Sequence, residues 1–252
     1  MTEWIVHRLR AAGCVFAEDE AALLAASAGG EALLELVRRR EAGEPLEQLL
    51  GWAEFCGRRI VVEPTVFVPR RRTELLVREA RRRAPQARLI VDLCCGSAAV
   101  AAVLAAERPD AEVHAADLDP GAVHCARRNL DPARVHEGDL YAALPARLRG
   151  RVELLVANAP YVPTAEIALM PSEARDHEAR VALDGGADGL TLHRRITAEA
   201  PEWLAPGGWL LIETSQRQAG RTAAAATAAG LVAEVVGAED LDATAVAARR
   251  PD

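Results

Sequence analysis

The sequence predicts an α/β fold, a mostly parallel sheet with helices on both faces. Three observations carry that expectation. Strand-like and helix-like segments alternate regularly after Pro85. A loop of small residues, Cys94, Cys95, Gly96, Ser97 and Ala98, follows the first of these strands and opens the next helix. An acidic residue, Asp117, then ends the second strand, 21 positions beyond Gly96. A chain of 252 residues accommodates one large α/β domain with a small appendage.

Residues 1–50 read as short helices, because Trp4, Ile5 and Leu9, and again Leu33, Leu34, Leu36 and Val37, recur at helical spacing. Gly29-Gly30 and Gly43 mark breaks between them. Over residues 51–70 the pattern changes. Phe55 and Gly57, then Ile60-Val61-Val62, then Val66-Phe67-Val68 read as two short strands joined by a turn at Glu63-Pro64. Residues 73–83 follow as a helix with Leu75, Leu76 and Val77 on its apolar side and Thr73 as its N-cap. Strands are expected at 88–93, 111–116, 135–137, 152–157 and 209–213, with 231–236 closing the series. Helices are expected at 99–107, 121–129, 191–204 and 219–229. Gly207-Gly208 marks a tight turn before a strand.

Composition narrows the function. Half the residues are apolar and 27% are charged, and the alanine-rich runs are broken by charges too often to span a membrane. Residues 1–10 lack a basic stretch followed by an apolar block, so the expected location is the cytoplasm. Five cysteines, odd in number and without paired Cys-x-x-Cys spacing, suggest reduced thiols and no metal site. The net charge of −7 is the opposite of what phosphate binding selects, so duplex nucleic acid is not an expected partner. All 30 cationic side chains are Arg, and the run 81–83 reads as a solvated helix face.

In such sheets ligands bind beyond the carboxyl ends of the strands. Asp92 and the loop 94–98 follow the first strand, where backbone N–H groups can approach a ligand closely. Asp117 is placed to accept hydrogen bonds from two ribose hydroxyls, although an ordinary turn aspartate would look the same. Asp139, after the third strand, can accept from an adenine amino group. This set suits any adenosine-containing cofactor, NAD included.

Asn158-Ala159-Pro160-Tyr161 follows the fourth strand, where Asn and Pro also serve simply as turn formers. Its chemical reading is more specific. An amide nitrogen is a poor nucleophile because its lone pair is delocalised. The Asn158 side chain and a backbone carbonyl of the following loop can bind its two N–H groups and hold the nitrogen in line with an electrophilic methyl. Proline brings no competing N–H, and Tyr161 can stack on a planar acceptor.

A longer series surrounds the tetrapeptide: Gly43-Glu44-Pro45-Leu46 with Gly51, Phe55-x-Gly57, and Val68-Pro69-Arg70-x-x-Thr73-Glu74-Leu75-Leu76. It continues with Asp92-Leu93, Asp117, His177-Glu178, Asp184-Gly185-Gly186-Ala187-Asp188-Gly189-Leu190, Pro206-Gly207-Gly208 and Glu213. In this order, over about residues 40–215, the chain resembles the HemK-type protein-(glutamine-N5) methyltransferases, which modify the glutamine of the Gly-Gly-Gln loop in peptide-chain release factors. The resemblance implies a class I, Rossmann-like, S-adenosylmethionine-dependent methyltransferase domain over 71–252. Before it would stand a helical substrate-recognition domain (1–50) and a β-hairpin linker (51–70). It implies that Asp92, Cys94, Cys95, Gly96, Ser97, Ala98, Asp117, Leu118, Asp139, Leu140 and Asn158 contact S-adenosylmethionine. Asn158, Ala159, Pro160 and Tyr161, with Pro69 and Arg70, would hold the acceptor, a release factor. Asn158, Pro160 and Tyr161 would be the catalytic residues.

Three departures stand out. Of the family's Gly-x-Gly-x-Gly loop only Gly96 remains; Cys94 and Ala98 take the outer positions, where a positive φ would cost on the order of a kcal/mol per β-carbon. Arg71-Arg72 replaces a proline and an acidic residue near the cofactor mouth, and Ala159 replaces a proline. They leave open another acceptor (a different protein, a small molecule or a nucleobase) and a non-catalytic binding protein with a degenerate loop. His177 and Glu178 read equally well as part of a lid and as plain surface loop.

Overall fold

The computed structural model describes residues 2–252. Helices α1 (Glu3–Ala11), α2 (Ala17–Ser27), α3 (Gly30–Glu41) and α4 (Leu46–Leu50) occupy the first fifth of the chain. Ile5, Leu9, Ala21, Leu24 and Val37 bury one another between them, whereas Trp4 and Leu34 face outward despite their apolar spacing. Arg40 is buried against Glu20 at 2.6 Å and reaches Glu173, also at 2.6 Å, far along the chain. A charge buried this deeply is tolerated because it is paired on both sides.

A hairpin follows, and it lies earlier than expected. Strand β1 (Trp52–Phe55) pairs antiparallel with β2 (Arg58–Val61), Phe55 facing Arg58. The turn is therefore Cys56-Gly57 and not Glu63-Pro64, and Val66-Phe67-Val68 forms no regular strand. Both turn residues have positive φ, 50° and 72°, the geometry of a two-residue type I′ hairpin. Arg58 and Arg59 broke the apolar pattern that would have marked β2, and cysteine is not a residue that signals such a turn.

The main sheet comprises β3 (Leu89–Leu93), β4 (Glu112–Asp117), β5 (Val135–Glu137), β6 (Val152–Ala157), β7 (Leu204–Thr214), β8 (Val232–Ala238) and β9 (Ala243–Arg249). Helices α5 (Glu74–Arg83), α6 (Ala99–Glu107), α7 (Pro120–Ala126), α8 (Ser172–His177), α9 (Thr191–Trp203) and α10 (Gln216–Ala228) complete the chain. The strand order is β5-β4-β3-β6-β7-β9-β8. The first five strands run parallel, and β9 runs antiparallel to both neighbours. The sheet is buried on both sides, since Ile90, Leu154 and Leu211 join the core that holds α5 and α6, while Val91, Leu155 and Ile212 join the one that holds α9.

Strand β9 went unforeseen. Its sequence, Ala-Thr-Ala-Val-Ala-Ala-Arg, is poor in β-formers, and pairing with β7 and β8 supplies what intrinsic preference does not. Strand β7 begins at Leu204, before the expected 209, because Gly207-Gly208 lies inside it, at an irregularity in its pairing with β6. Thr73 stands at the N-cap position of α5, yet its hydroxyl makes no capping bond. That hydroxyl is engaged elsewhere.

Candidate active site

Strand order reverses between β4-β3 and β3-β6, so the carboxyl ends of these strands open into one cleft of about 360 Å³. Every residue expected to contact the cofactor or the acceptor lines it except Ala98. Ala98 is fully buried, and its N–H turns back to the Cys95 carbonyl at 2.7 Å. It supports the loop from beneath and does not reach the cleft, because it caps α6, which enters the core at that point.

The loop after β3 is left-handed at Cys94 (φ 55°), Gly96 (54°) and Ala98 (59°). Two of these carry a β-carbon in a conformation that favours glycine. Asp117 holds the loop: its Oδ2 accepts the Gly96 N–H at 2.8 Å and its Oδ1 accepts the Asp119 N–H at 2.9 Å. A carboxylate has about four lone-pair sites, so each oxygen can accept once more. Burial pushes the Asp117 carboxyl up, and these backbone N–H groups pull it back. Asp92 is buried beneath, accepting the Ala101 N–H at 3.1 Å, and burial pushes its carboxyl up to about 7. Asp139 sits at the far edge, already paired with Arg195 at 2.7 Å. Leu118 is half exposed and Leu140 buried, which gives the cleft an apolar flank beside the acidic pair. A narrow backbone cradle, a diol-ready carboxylate and apolar flanks fit an adenosine-bearing ligand.

Asn158 follows β6 directly, and its Nδ2 donates to Thr73 Oγ1 at 3.3 Å. Tyr161 donates its hydroxyl to Glu213 Oε1 at 3.2 Å. Burial first, then the Glu213 charge, pushes the Tyr161 phenol up to about 12, so it stays protonated. Glu213, near the end of β7, is itself buried, which raises its carboxyl, and its Oε2 makes no hydrogen bond. Arg72 lines the same wall and acts on both Tyr161 and Glu213.

The segment Asp184 to Leu190 backs the tetrapeptide. A β-carbon on Gly185 would stand 2.8 Å from the Pro160 carbonyl oxygen and from Tyr161 Cα. Gln218 Nε2 donates to the Tyr161 carbonyl at 2.9 Å and to that of Asp188 at 3.2 Å. His193, fully buried behind the loop, bonds Thr222 at 2.9 Å, and burial pushes its imidazole down to about 4.

Residues 162–184 roof the cleft with Met170, Pro171, Val181 and Leu183. Glu178 secures this roof: its Oε1 accepts the Val68 N–H at 3.0 Å and pairs with Arg70 at 2.5 Å. Gln48 of α4 adds bonds to the carbonyls of Val66 and His177. Glu178 is thus a tie between roof and wall. Thr73, Glu213 and Gln218 are site residues to which the sequence alone assigned no role here, although the resemblance includes Thr73 and Glu213; Arg72 was expected near the cofactor mouth, and it lines the cleft.

Residues 58–186 match the methyltransferase small domain family. The chain is 46% identical over 188 residues to the release factor glutamine methyltransferase of Geobacter sulfurreducens, a match covering 73% of this chain and 65% of that one. It is 42% identical over 193 residues to the enzyme of that name from Streptomyces coelicolor, covering 74% and 68%. A third relative, 40% identical over 191 residues, is the 4-amino-L-phenylalanine/4-methylamino-L-phenylalanine methyltransferase of Streptomyces pristinaespiralis, with coverage of 72% and 65%. The aligned part thus spans about two thirds of each relative's length. A methyltransferase from Pyrococcus furiosus shares the fold, with a TM-score of 0.59 at 15% identity over 79% of this chain and 91% of that one.

Proposed function

The chain belongs to the release factor glutamine methyltransferase family, within the methyltransferase small domain proteins, and on that footing we propose that it methylates the side-chain amide of a glutamine in a peptide-chain release factor. It is an S-adenosylmethionine-dependent enzyme, and bound S-adenosylmethionine supplies a methyl group made electrophilic by a sulfonium. We assign the cradle of Cys94, Cys95, Gly96 and Ser97 to that ligand's close approach, and the free lone pairs of Asp117 to its ribose hydroxyls. Leu118, Asp139 and Leu140 would flank its base, and Asp92 would shape the floor.

The observation that carries the reading is the placement of Asn158 at the end of β6, its Nδ2 committed to Thr73 and its Oδ1 left for an acceptor. Oδ1 and a backbone carbonyl of residues 159–160 hold the two N–H groups of the glutamine amide. This aligns the nitrogen and favours the charge it develops. In transfer the nitrogen would take the methyl, the electron pair of the broken carbon–sulfur bond would stay with sulfur, and the nitrogen would give one proton to water. Tyr161, held as a neutral phenol, provides a flat wall for the amide plane. Pro69 and Arg70 line the same cleft, Arg70 lying 5.0 Å over the Phe67 ring.

The helices of residues 3–50 contact the roof through Arg40 and Gln48, and to them we assign recognition of the protein acceptor. Among the described residues no helix is long and apolar enough to cross a membrane. Replacing Asn158 by alanine tests the mechanism: transfer should fall at least a hundredfold while calorimetry finds S-adenosylmethionine affinity within a few-fold. Retained transfer refutes the role of Asn158.

One observation favours a second acceptor. Arg72 adds a positive charge to the wall beside Tyr161, which suits a planar amine that also bears a carboxylate. Turnover of 4-amino-phenylalanine by the wild type, lost in Arg72→Glu, would favour this reading over the release factor.

A further inference from the structure

Two hydroxyls converge on one buried carboxyl behind the acceptor loop. Tyr161 donates to Glu213 Oε1 at 3.2 Å. The Thr73 hydroxyl also lies against the Glu213 carboxyl, where it favours the charged form. Glu213 and Thr73 are both buried, and Oε2 of Glu213 makes no hydrogen bond. Thr73 Oγ1 in turn receives the Asn158 Nδ2 at 3.3 Å.

Direction follows from the chemistry of these groups. An ionised carboxylate only accepts, and the buried, unpartnered Oε2 calls for a donor, which the single proton of the neighbouring Thr73 hydroxyl can supply. Thr73 then has only lone pairs to offer Asn158, and the amide must present its NH2 group to Thr73. Its carbonyl oxygen is left facing the cleft. Nothing intrinsic to an asparagine decides between its two orientations; the surrounding network does. We propose that Glu213 is a positioning residue, which by holding Thr73 and Tyr161 as hydrogen-bond donors fixes the Asn158 amide with its oxygen toward the acceptor. A flipped amide would offer N–H groups to an acceptor that itself brings N–H groups. The inference rests on the acceptor role proposed for Asn158.

The charged and titratable groups that act on Glu213 are Tyr161 beside it and the guanidinium groups of Arg72 and Arg70, both of which favour its ionised form against burial. Below the pH at which Glu213 takes up a proton, its new O–H competes for Thr73, and the direction of the chain is no longer enforced. Glu213→Gln reproduces that state at every pH, since its NH2 faces one of the two hydroxyls and obliges it to reverse.

The test reads the Asn158 side-chain NH2 resonances by NMR, assigned through their loss in Asn158→Asp, together with steady-state kinetics. In the wild type these resonances shift as Glu213 titrates. In Glu213→Gln and Thr73→Val that response disappears, kcat falls at least tenfold, S-adenosylmethionine affinity stays within twofold, and Thr73→Ser restores both signals. Asn158 resonances that respond identically in all of these variants overturn the proposal, whatever the acceptor proves to be. Full kcat in Glu213→Gln, in an enzyme that Asn158→Ala inactivates, also overturns it. Full kcat in Asn158→Ala instead removes the acceptor role of Asn158, while the NMR arm still decides how its amide is oriented.

Discussion

Gly96 lies in the loop after β3 and Asp117 ends the neighbouring β4, and the Gly96 N–H meets the Asp117 carboxylate at 2.8 Å. The bond closes the loop 94–98 against β4, so the loop's shape and the carboxylate's position are set together. Its partner oxygen is held in the same way by the Asp119 N–H at 2.9 Å. A carboxylate fixed at both oxygens costs a ligand little ordering entropy when the remaining lone pairs are used.

Asp117→Ala should therefore weaken S-adenosylmethionine binding by both routes. Loss of hydrogen bonds to a charged group is worth about 1.5–3 kcal/mol, or roughly 10–100-fold in affinity. Titration calorimetry checks it; binding within twofold of wild type would remove Asp117 from the site.

Gly185 has no room for a side chain, since a β-carbon would come within 2.8 Å of Pro160, Tyr161 and Gly189 atoms. These are backbone atoms and cannot swing aside. Gly185→Ala should cost about 1–3 kcal/mol of stability and displace the acceptor loop. Urea denaturation and methyl transfer should decline together, with transfer the more affected.

Gly57 offers the contrasting case. No atom would lie within 4 Å of an added β-carbon, so only its φ of 72° opposes one. Gly57→Ala should cost about 1 kcal/mol and leave S-adenosylmethionine binding unchanged. A neutral result in urea would mean that the turn relaxes to another form.

Asp92 gives a pH dependence with a definite sign. Burial raises its carboxyl from 3.8 in the unfolded chain to about 7, against the pull of the Ala101 N–H. The folded chain then holds a proton that the unfolded chain has lost, so this contribution favours folding at low pH and is lost as pH rises from about 4 to 7. Asp92→Asn lacks that loss. The stability difference in favour of the variant should grow by about 2–3 kcal/mol between pH 5 and pH 7.5, then level off. Parallel stability curves would show that Asp92 titrates normally.

What the sequence disclosed, and what it withheld, follows the range of the interactions concerned. Helix α6, strand β5 and strand β6 were legible to the residue, because regular alternation of helical and strand segments bounded by turns marks each of them. The left-handed strain at Cys94 and Ala98 was foreseeable from the family loop, and φ values of 55° and 59° bear it out. Strand β9 was hidden by its alanines, and the Cys56-Gly57 turn by a cysteine in a place where asparagine would have announced it. At the cleft, residues that end a strand could be read, since topology alone places them. Thr73 could not, because a threonine before a helix has a local reading as a cap and its real partner lies 85 positions away. Gln218 and Glu178 act on loops 57 and 110 positions distant, and no local pattern carries such pairings.

The most direct test of the whole account is transfer of isotope-labelled methyl from S-adenosylmethionine to a purified release factor from the same source, with the modified residue located by mass spectrometry. The account predicts one methyl group on the side-chain amide of the glutamine in the Gly-Gly-Gln loop, absent when Asn158→Ala replaces the wild type. A release factor left unlabelled by an enzyme that demonstrably binds S-adenosylmethionine would contradict the proposed acceptor.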